Sequence, residues 1–352
     1  MGKAKLDTTQ IDIRESDILN FDRELLETLI IDRSSNNNIL WATDNYEMLG
    51  SQFSPDSQIT IESITGEYST IVQPRIKKSK EVQESRSKDK AEVFTPSWIC
   101  NKQNNLIDNA FFGREGVFNT EIEEGWISKD TIEFLETENW RDYVKAKRLE
   151  ITCGEAPYIA SRYDATTGEL IEPLNRVGIL DRKFKVVHQV YGRQEFSVQK
   201  WFKWIKIALQ STYGYEWQGD NLLLARENIL LTFIDFYQLK FPGKLPTIPQ
   251  LREVANIISW NIWQMDGLKM VIPNTCHDSE VEGLVVPQLS LFGDIITQAF
   301  SKTIVEPCPG CKNDDVHRHN GIQCNIRDWF TDKGTTISPE KGVVPFHTLI
   351  SK

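Results

Sequence analysis

The stretch Arg148-Leu-Glu-Ile-Thr-Cys-Gly-Glu-Ala-Pro-Tyr-Ile159 decides the predicted fold. Its start, Leu149 to Thr152, predicts a short strand that runs into Gly154 and then opens a helix. Such a turn lets the backbone approach a ligand closely, and the start of a helix presents free N–H groups. Because the stretch holds one glycine and no GxGxxG pattern, it does not indicate a phosphate cradle, and an ordinary strand–turn–helix is the alternative.

Acidic residues follow two later apolar runs. Tyr213-Gly-Tyr-Glu216 precedes a buried amphipathic helix predicted over 222–237, and Asp266 ends an apolar run, predicted as a strand, that begins at Ile257. An acidic residue at the end of the second strand of a βαβ unit usually holds a ribose diol, and Glu216 has that place. An aspartate before a turn glycine, as at Asp266, can accept a hydrogen bond from an exocyclic amine.

A fourth segment, Phe94-Thr95-Pro96, reads as a strand-to-helix entry with proline at the first turn. Together the four segments resemble the S-adenosylmethionine-dependent DNA adenine-N6 methyltransferases of restriction–modification systems. In that family "FTP", "LEPxxGxGxF", "YGxE" with "AxxN" in the next helix, and "xxxDxL" follow in this order. The matching positions here are Phe94-Thr95-Pro96, Leu149 to Tyr158, Tyr213 to Glu216 with Ala225 and Asn228, and Asp266 to Leu268. Ile151 replaces the usual proline, and Ala156 replaces the second glycine.

The resemblance implies an α/β fold with a class I methyltransferase-like doubly wound sheet over residues 91–275, with an insertion at 160–212. It implies that Thr95 and Pro96 line the methionine end of the cofactor, that Glu216 binds the ribose, and that Asp266 binds the adenine amine. Glu150, Cys153, Gly154 and Tyr158 would wrap the cofactor backbone. The full set of cofactor-binding residues that it implies is Phe94, Thr95, Pro96, Glu150, Thr152, Cys153, Gly154, Glu155, Tyr158, Glu216, Trp217, Asp266, Gly267 and Leu268.

The family's catalytic motif, Asn/Asp/Ser-Pro-Pro-Tyr/Phe, is not in the sequence, whose 14 prolines include no Pro-Pro pair. In that motif an amide or carboxylate and a backbone carbonyl accept the hydrogens of a weakly nucleophilic amine, while an aromatic ring holds the flipped base. We therefore expect no catalytic residue in this chain, which ends about where the catalytic strand would begin.

The expected function is the S-adenosylmethionine-binding subunit of a split DNA adenine-N6 methyltransferase in restriction–modification or phage defence, inactive alone. A second polypeptide would supply the motif and target recognition. The apolar residues 285–292 are the candidate docking surface for it, and ordinary core is the alternative for this segment. The alternative is a non-catalytic DNA-binding or scaffold protein with a degenerate methyltransferase fold. A third interpretation is a small-molecule or RNA methyltransferase.

A cysteine and histidine cluster lies near the end of the chain. Four of the six cysteines and three of the five histidines fall between residues 276 and 324. A Cys-x2-Cys pair followed by histidine and cysteine is typical of a closed, structural zinc site. The predicted ligands are Cys308, Cys311, His319 and Cys324, with His317 as an alternative to His319. Cys276 or His277 could also enter the set, and free thiols on a loop are the alternative.

Two basic stretches stand out in a chain of net charge −10, over residues 75–90 and 182–206. Either is a solvated helix face or a surface that contacts the phosphates of double-stranded DNA, where lysine and arginine supply the affinity. Trp201 and Trp204, within the second stretch, recur at helical spacing and favour a helix packed on the core. The predicted DNA-binding residues are Lys77, Lys78, Lys80, Arg86, Lys88, Lys200 and Lys203.

The chain has no apolar leader and no run near the ~20 residues that span a bilayer, so we expect a cytoplasmic protein with reduced cysteines and no membrane partner. The expected division is an α/β extension over 1–74, a basic connector over 75–90, the cofactor-binding domain over 91–275, and a zinc-stapled segment over 276–352.

Overall fold

The computed structural model describes residues 6, 8–90, 95–192, 198–284, 301–330 and 342–350. Its helices are α1 Glu15–Phe21, α2 Arg23–Ile30, α3 Ile61–Ile64, α4 Lys80–Lys90, α5 Ser97–Phe112, α6 Trp140–Lys145, α7 Ile179–Tyr191, α8 Val198–Gln210, α9 Gly219–Lys240, α10 Ile248–Asn261 and α11 Pro309–Asn313. Its strands are β1 Asn119–Ile122, β2 Gly125–Ser128, β3 Arg148–Glu150, β4 Thr212–Glu216, β5 Ile262–Gln264, β6 Ser279–Leu284, β7 Ser301–Glu306, β8 Asn325–Arg327 and β9 Val343–Pro345. The protein is therefore of mixed α/β class.

A three-stranded parallel sheet lies at the centre, in the order β3, β4, β5. Leu149 pairs with Tyr213, and Tyr215 pairs with Trp263. Parallel neighbours need long crossovers, which here contain α7 and α8 between β3 and β4, and α9 and α10 between β4 and β5. The remaining pairs, β1 with β2, β6 with β7, and β8 with β9, are antiparallel.

Apolar helices build the core around this sheet. Helix α9 is buried along most of its length, including Leu222, Leu223 and Phe233, and it confirms the helix predicted over 222–237. In α8, Trp201 is buried against the rings of α9, as its helical spacing predicted. One continuous core contains residues from Leu6 to Phe346 and includes residues on both sides of the predicted boundaries at 74 and 275.

The N-terminal segment packs directly on the sheet's helices. Helix α2 lies against α10, and the guanidinium of Arg226 in α9 donates to the carbonyl oxygens of Leu29 and Ile31. The Nε atom of Arg226 also donates to Ile262 in β5 at 2.8 Å. One buried arginine therefore joins the N-terminal helices to a strand of the central sheet.

The apolar run before Asp266 differs from its prediction. Residues 257–261 end the helix α10, and the strand β5 contains only Ile262–Gln264. The helix begins at a capping box in which Thr247 and Gln250 exchange side-chain and backbone hydrogen bonds. A short apolar run has no periodicity that separates a buried helix from a buried strand, so its interpretation as one strand was wrong.

Candidate functional site

The main cavity, of about 800 Å³, opens at the carboxyl ends of β3 and β4. This is the edge where open α/β sheets bind their ligands, and the volume suits a small molecule or cofactor. Its lining contains nine of the residues predicted from the sequence. They are Thr95, Glu150, Thr152, Cys153, Gly154, Glu155, Tyr158, Glu216 and Trp217. Three segments far apart in the chain therefore meet at one cavity.

The turn after β3 has an unusual backbone. Thr152, Gly154 and Ala156 all have positive φ, at 49°, 54° and 63°. Only glycine adopts this left-handed region without steric cost, so Thr152 and Ala156 are held there by the surrounding structure. Ala156 stands where the resembled family has its second glycine, and its backbone has the conformation that favours glycine.

Glu216 is the last residue of β4, and its carboxylate is hydrogen-bonded to this turn. Its Oε2 accepts from the N–H of Gly154 at 2.8 Å, and its Oε1 accepts from the N–H of Gln218 at 3.1 Å. Burial raises the pKa of Glu216 to about 7, against the opposing effect of these N–H groups. The charge of this carboxyl group at the cavity therefore depends on pH near neutrality.

Glu150, at the end of β3, is the second carboxyl in the wall. Burial, and then the charge of Glu216, raise its pKa well above the ordinary range, while the N–H groups of Tyr158 and Ile159 act in the opposite direction. Its Oε2 has no hydrogen-bond partner within the described ranges. A buried carboxyl group with an oxygen that has no hydrogen-bond partner, in the wall of a cavity, is suited to a polar ligand group.

Helix α9 braces the turn from behind. Asn228 donates through Nδ2 to the carbonyl of Glu155 at 3.1 Å and to the hydroxyl of Tyr163 at 3.2 Å. The same hydroxyl donates to the carboxylate of Glu155, which also accepts from the N–H of Arg75 at 2.7 Å. Asn228 is the asparagine of the "AxxN" pattern, and its contacts fix the turn.

Helix α5 lines the cavity through Gln103, Asn104 and Ile107, and Thr95 lines it from just before the helix. It begins directly after Pro96, and the N–H of Ser97 donates to Asp164 at 2.7 Å. Sequence analysis did not identify Gln103 and Asn104, because no motif marks these two positions of the helix. Pro96 does not line the cavity, and Phe94 lies outside the described residues.

A second cavity, of about 430 Å³, adjoins the main one, because Trp217 lines both. Its lining is Pro55, Asp56, Trp217, Asp266, Lys269, Val271, Asn274, Cys276 and His277. Asp266 Oδ1 accepts from the N–H groups of Leu268 and Lys269, at 2.9 and 3.1 Å, which fixes the turn after β5. Leu268 is exposed to solvent and Gly267 packs against Tyr215, so neither predicted residue lines the two cavities.

The candidate metal centre consists of Cys276, Cys308, Cys311 and His319, whose ligand atoms all lie within 4.8 Å of one another. The Sγ atoms of Cys276 and Cys311 are 3.7 Å apart. The Nδ1 atom of His319 lies 3.5 Å from Cys276 Sγ and 3.6 Å from the other two Sγ atoms. Tetrahedral zinc with the usual bond lengths requires about 3.8 Å between sulfurs and about 3.6 Å between sulfur and nitrogen. The cluster can therefore hold a metal ion and is compatible with zinc.

Cys324 is not part of this cluster, and its prediction as a ligand was wrong. It is buried elsewhere, with its Sγ donating to the carbonyl of Gln264 at 3.3 Å. Cys276 takes its place, the alternative that the sequence left open. His317 instead has its ring centroid 5.5 Å from that of His347, and His277 lines the second cavity.

The metal cluster and the second cavity share a segment. Residues 266–277 include Asp266 and Cys276, and backbone hydrogen bonds join the middle of this segment to residues 322–324. Ile272 N–H donates to Ile322 at 2.8 Å, and Cys324 N–H donates to Met270 at 3.2 Å. At the end of the segment, Asn320 Nδ2 donates to the carbonyl of His277 at 2.6 Å. The position of Asp266 therefore depends on the segment that carries Cys276.

The first basic stretch is only partly available to a ligand. Arg86 is buried and donates to Asp220 at 2.5 Å, and Lys78 lies 3.2 Å from the same carboxylate. These two charges compensate a buried aspartate, so their prediction as phosphate contacts is corrected. Lys77 pairs with Asp12 at 3.3 Å but remains partly exposed. Lys80 and Lys88 are exposed.

The second basic stretch, residues 182–206, also contains both buried and exposed cations. Arg182 is buried on Asp108 and Asn105, and Lys183 is buried among carbonyl and hydroxyl oxygens of Ala146, Ser211 and Thr212. Burial lowers the pKa of Lys183 well below its ordinary range. Lys200 and Lys203 on α8 are exposed, and their contact with phosphate stays a prediction.

Comparison with models of known protein families, with curated proteins and with solved structures found no match. Within the described ranges, no helix is long and apolar enough to cross a membrane. The predicted docking segment, residues 285–292, lies outside the described residues.

Proposed function

We propose that this chain is the S-adenosylmethionine-binding subunit of a heteromeric DNA adenine-N6 methyltransferase. One observation carries the proposal: the segments around Thr95, Glu150–Tyr158 and Glu216 converge on one cavity at the carboxyl edge of a parallel sheet. These are three of the four segments that resemble the family. The left-handed backbone of Ala156 and the bracing contacts of Asn228 also support it.

Each residue has a chemical role in this proposal. Glu216 accepts hydrogen bonds from the ribose hydroxyls, for which its ionised form is the better acceptor. Asp266, across Trp217, accepts from the adenine amine. The bound cofactor supplies an electrophilic methyl group, and the chain's own contribution is to hold that methyl in line with the incoming amine.

Because the 352 residues contain no Pro-Pro pair, the flipped adenine would be held by a second polypeptide. That partner and double-stranded DNA are therefore part of the proposal, with the exposed lysines Lys80, Lys88, Lys200 and Lys203 as phosphate contacts. We further propose that Cys276, Cys308, Cys311 and His319 hold a structural zinc ion, because four protein ligands leave no open position for catalysis.

The test uses the tagged full chain, captured with its partner from the native host and sequenced by mass spectrometry. The complex should transfer labelled methyl groups to adenine in DNA, and the chain alone should not. Glu216→Ala in this chain should lower transfer at least tenfold while the complex still assembles. The control Glu136→Ala, an exposed glutamate outside both cavities, should leave transfer unchanged.

Full transfer by the partner alone, or by the complex with Glu216→Ala, would contradict the proposal. A chain without any partner that carries the Pro-Pro-aromatic motif would favour the alternative, a non-catalytic protein with a degenerate methyltransferase fold.

A further inference from the structure

The outer strand of the central sheet has an open edge. β3 pairs with β4 on one side, and no described residue pairs with it on the other. Its apolar side chains are exposed, Leu149 by 44% and Ile151, directly after it, by 64%. Parallel sheets are normally covered on both faces, and an open strand edge presents N–H and C=O groups that another strand can pair with.

An apolar groove lies beside this edge, on the face of the sheet to which Tyr213 and Tyr215 point. It has a volume of about 400 Å³. Its apolar lining comes from Leu149, Ile151, Tyr213, Tyr215, Trp263, Met270, Ile326, Phe346, Leu349 and Ile350. Phe346 covers part of this face, with its ring 5.1 Å from that of Trp263. The charged side chains Lys147, Arg148 and Asp328 also line the groove, and its remaining lining is apolar.

The groove and the main cavity are neighbours along one strand. Leu149 and Ile151 line both of them, so a chain lying on the edge of β3 would reach the groove and the cavity together. Lys147 and Arg148 line the groove at the amino end of β3. Lys147 pairs with Asp328, whereas Arg148 forms no ion pair within the described part of the chain. Its guanidinium lies 5.4 Å over the ring of Phe111.

We propose that a β-strand of a different polypeptide pairs in parallel with β3 and fills the apolar groove. The backbone groups of the open edge select an extended peptide, and the groove selects apolar side chains on one of its faces. Arg148, at the amino end of β3, favours a carboxylate at the start of the incoming strand.

The choice of partner and of parallel direction rests on the proposed function. In the parallel direction the carboxyl end of the incoming strand reaches the main cavity, where the partner must present the adenine amine to the methyl group. A second copy of this chain has no Pro-Pro-aromatic segment to present there.

The experiment places a photo-crosslinking amino acid, p-benzoylphenylalanine, at position 151 of the full chain in the native host. A matched control places it at Ile127 in β2, which is 61% exposed and lines neither the cavity nor the groove. Position 151 should cross-link to an apolar segment of another protein that leads into a Pro-Pro-aromatic sequence, and position 127 should not. Cross-links to a second copy only, or equal cross-linking from both positions, would overturn the proposal.

A charge variant gives an independent measurement. Ile151→Lys should reduce recovery of the partner at least tenfold, and Ile127→Lys should not change it. Melting curves of both variants should match the wild type, because both side chains are largely exposed. Undiminished recovery with Ile151→Lys would contradict the inference.

The cross-linking experiment, together with a cofactor-binding measurement, distinguishes failure of this inference from failure of the proposed function. If position 151 cross-links to another protein but S-adenosylmethionine does not bind, the interface stands and the proposed function fails. If the cofactor binds and the complex forms, but the cross-links arise elsewhere, the inference fails and the proposed function stands.

Discussion

The carboxylate of Glu216, at the end of β4, accepts a 2.8 Å hydrogen bond from the N–H of Gly154, in the turn after β3. This bond joins the carboxyl ends of two neighbouring strands across the main cavity. Glu216 therefore contributes both to the stability of this turn and to the proposed binding site for the ribose.

The raised pKa of Glu216 predicts a pH dependence of stability. A carboxyl whose pKa is about 7 when folded, against an ordinary 4.5, binds its proton more tightly in the folded chain. Its contribution to stability is therefore greatest below about pH 4.5 and is lost as the pH rises to about 7. Between pH 6 and pH 8, the wild type should lose about 1 kcal/mol more than Glu216→Gln in urea unfolding. Equal losses would mean that the carboxyl is not buried as described.

The proposed metal ligands can be tested one cysteine at a time. Cys276→Ser and Cys311→Ser should each release the metal, because the geometry places both sulfurs within 3.7 Å of each other and of His319. Cys324→Ser should retain one metal ion per chain, measured by elemental analysis of the purified protein. Metal loss in Cys324→Ser with metal retained in Cys276→Ser would restore the ligand set expected from sequence.

Metal removal should loosen residues 266–277 as well as the metal cluster itself. The metal would hold Cys276, and backbone bonds join this segment to residues 322–324. After chelation, amide hydrogen exchange in 266–277 should accelerate more than tenfold, because local opening costs less. Amides of β4 and α9 form the internal control and should not change. Unchanged exchange in 266–277 would show that the metal does not support this segment.

The exposed lysines of α8 are expected to contact DNA phosphates. Each lost phosphate contact lowers the slope of log affinity against log salt by about 0.9. The double variant Lys200→Ala with Lys203→Ala should therefore reduce the slope measured by fluorescence anisotropy by nearly 2. Arg86→Met should leave the slope unchanged, since Arg86 is buried on Asp220. The opposite pattern would move the DNA surface to the first basic stretch.

Breaking the buried pair of Arg182 and Asp108 should be far more destabilising than breaking an exposed pair. Arg182→Met leaves a buried carboxylate unpaired and should cost about 3–5 kcal/mol in urea unfolding. The comparison is Arg252→Met, whose exposed guanidinium pairs with Asp22, and it should lower the free energy of unfolding far less. Similar losses would indicate that Arg182 is solvated.

Local patterns predicted the strand β3, the turn at Gly154 and the place of Glu216 at the end of β4, because strand ends and turn glycines are fixed by neighbouring residues. The helix predicted directly after Gly154 was wrong, since residues 154–159 form turns and β3 already ends at Glu150. Sequence could not distinguish Cys276 from Cys324 as the fourth ligand, since the choice depends on how residues 32 and 16 positions from Cys308 fold back. Charge alone also could not show that Arg86 and Arg182 are buried, because their acidic partners are distant in the chain. The sequence Thr247 to Gln250 contains a capping box that marks the start of α10. The apolar run from Ile257 was nevertheless predicted as a strand.

The most direct test of the central claim is calorimetric titration of the full chain, purified in the presence of zinc, with S-adenosylmethionine. We predict one site per chain, with at least tenfold weaker binding in Glu216→Ala and in Asp266→Asn, which keeps an oxygen for its turn. Glu136→Ala should bind as the wild type does. No binding by the wild type, or equal affinity in all four proteins, would contradict the assignment of the main cavity to this cofactor.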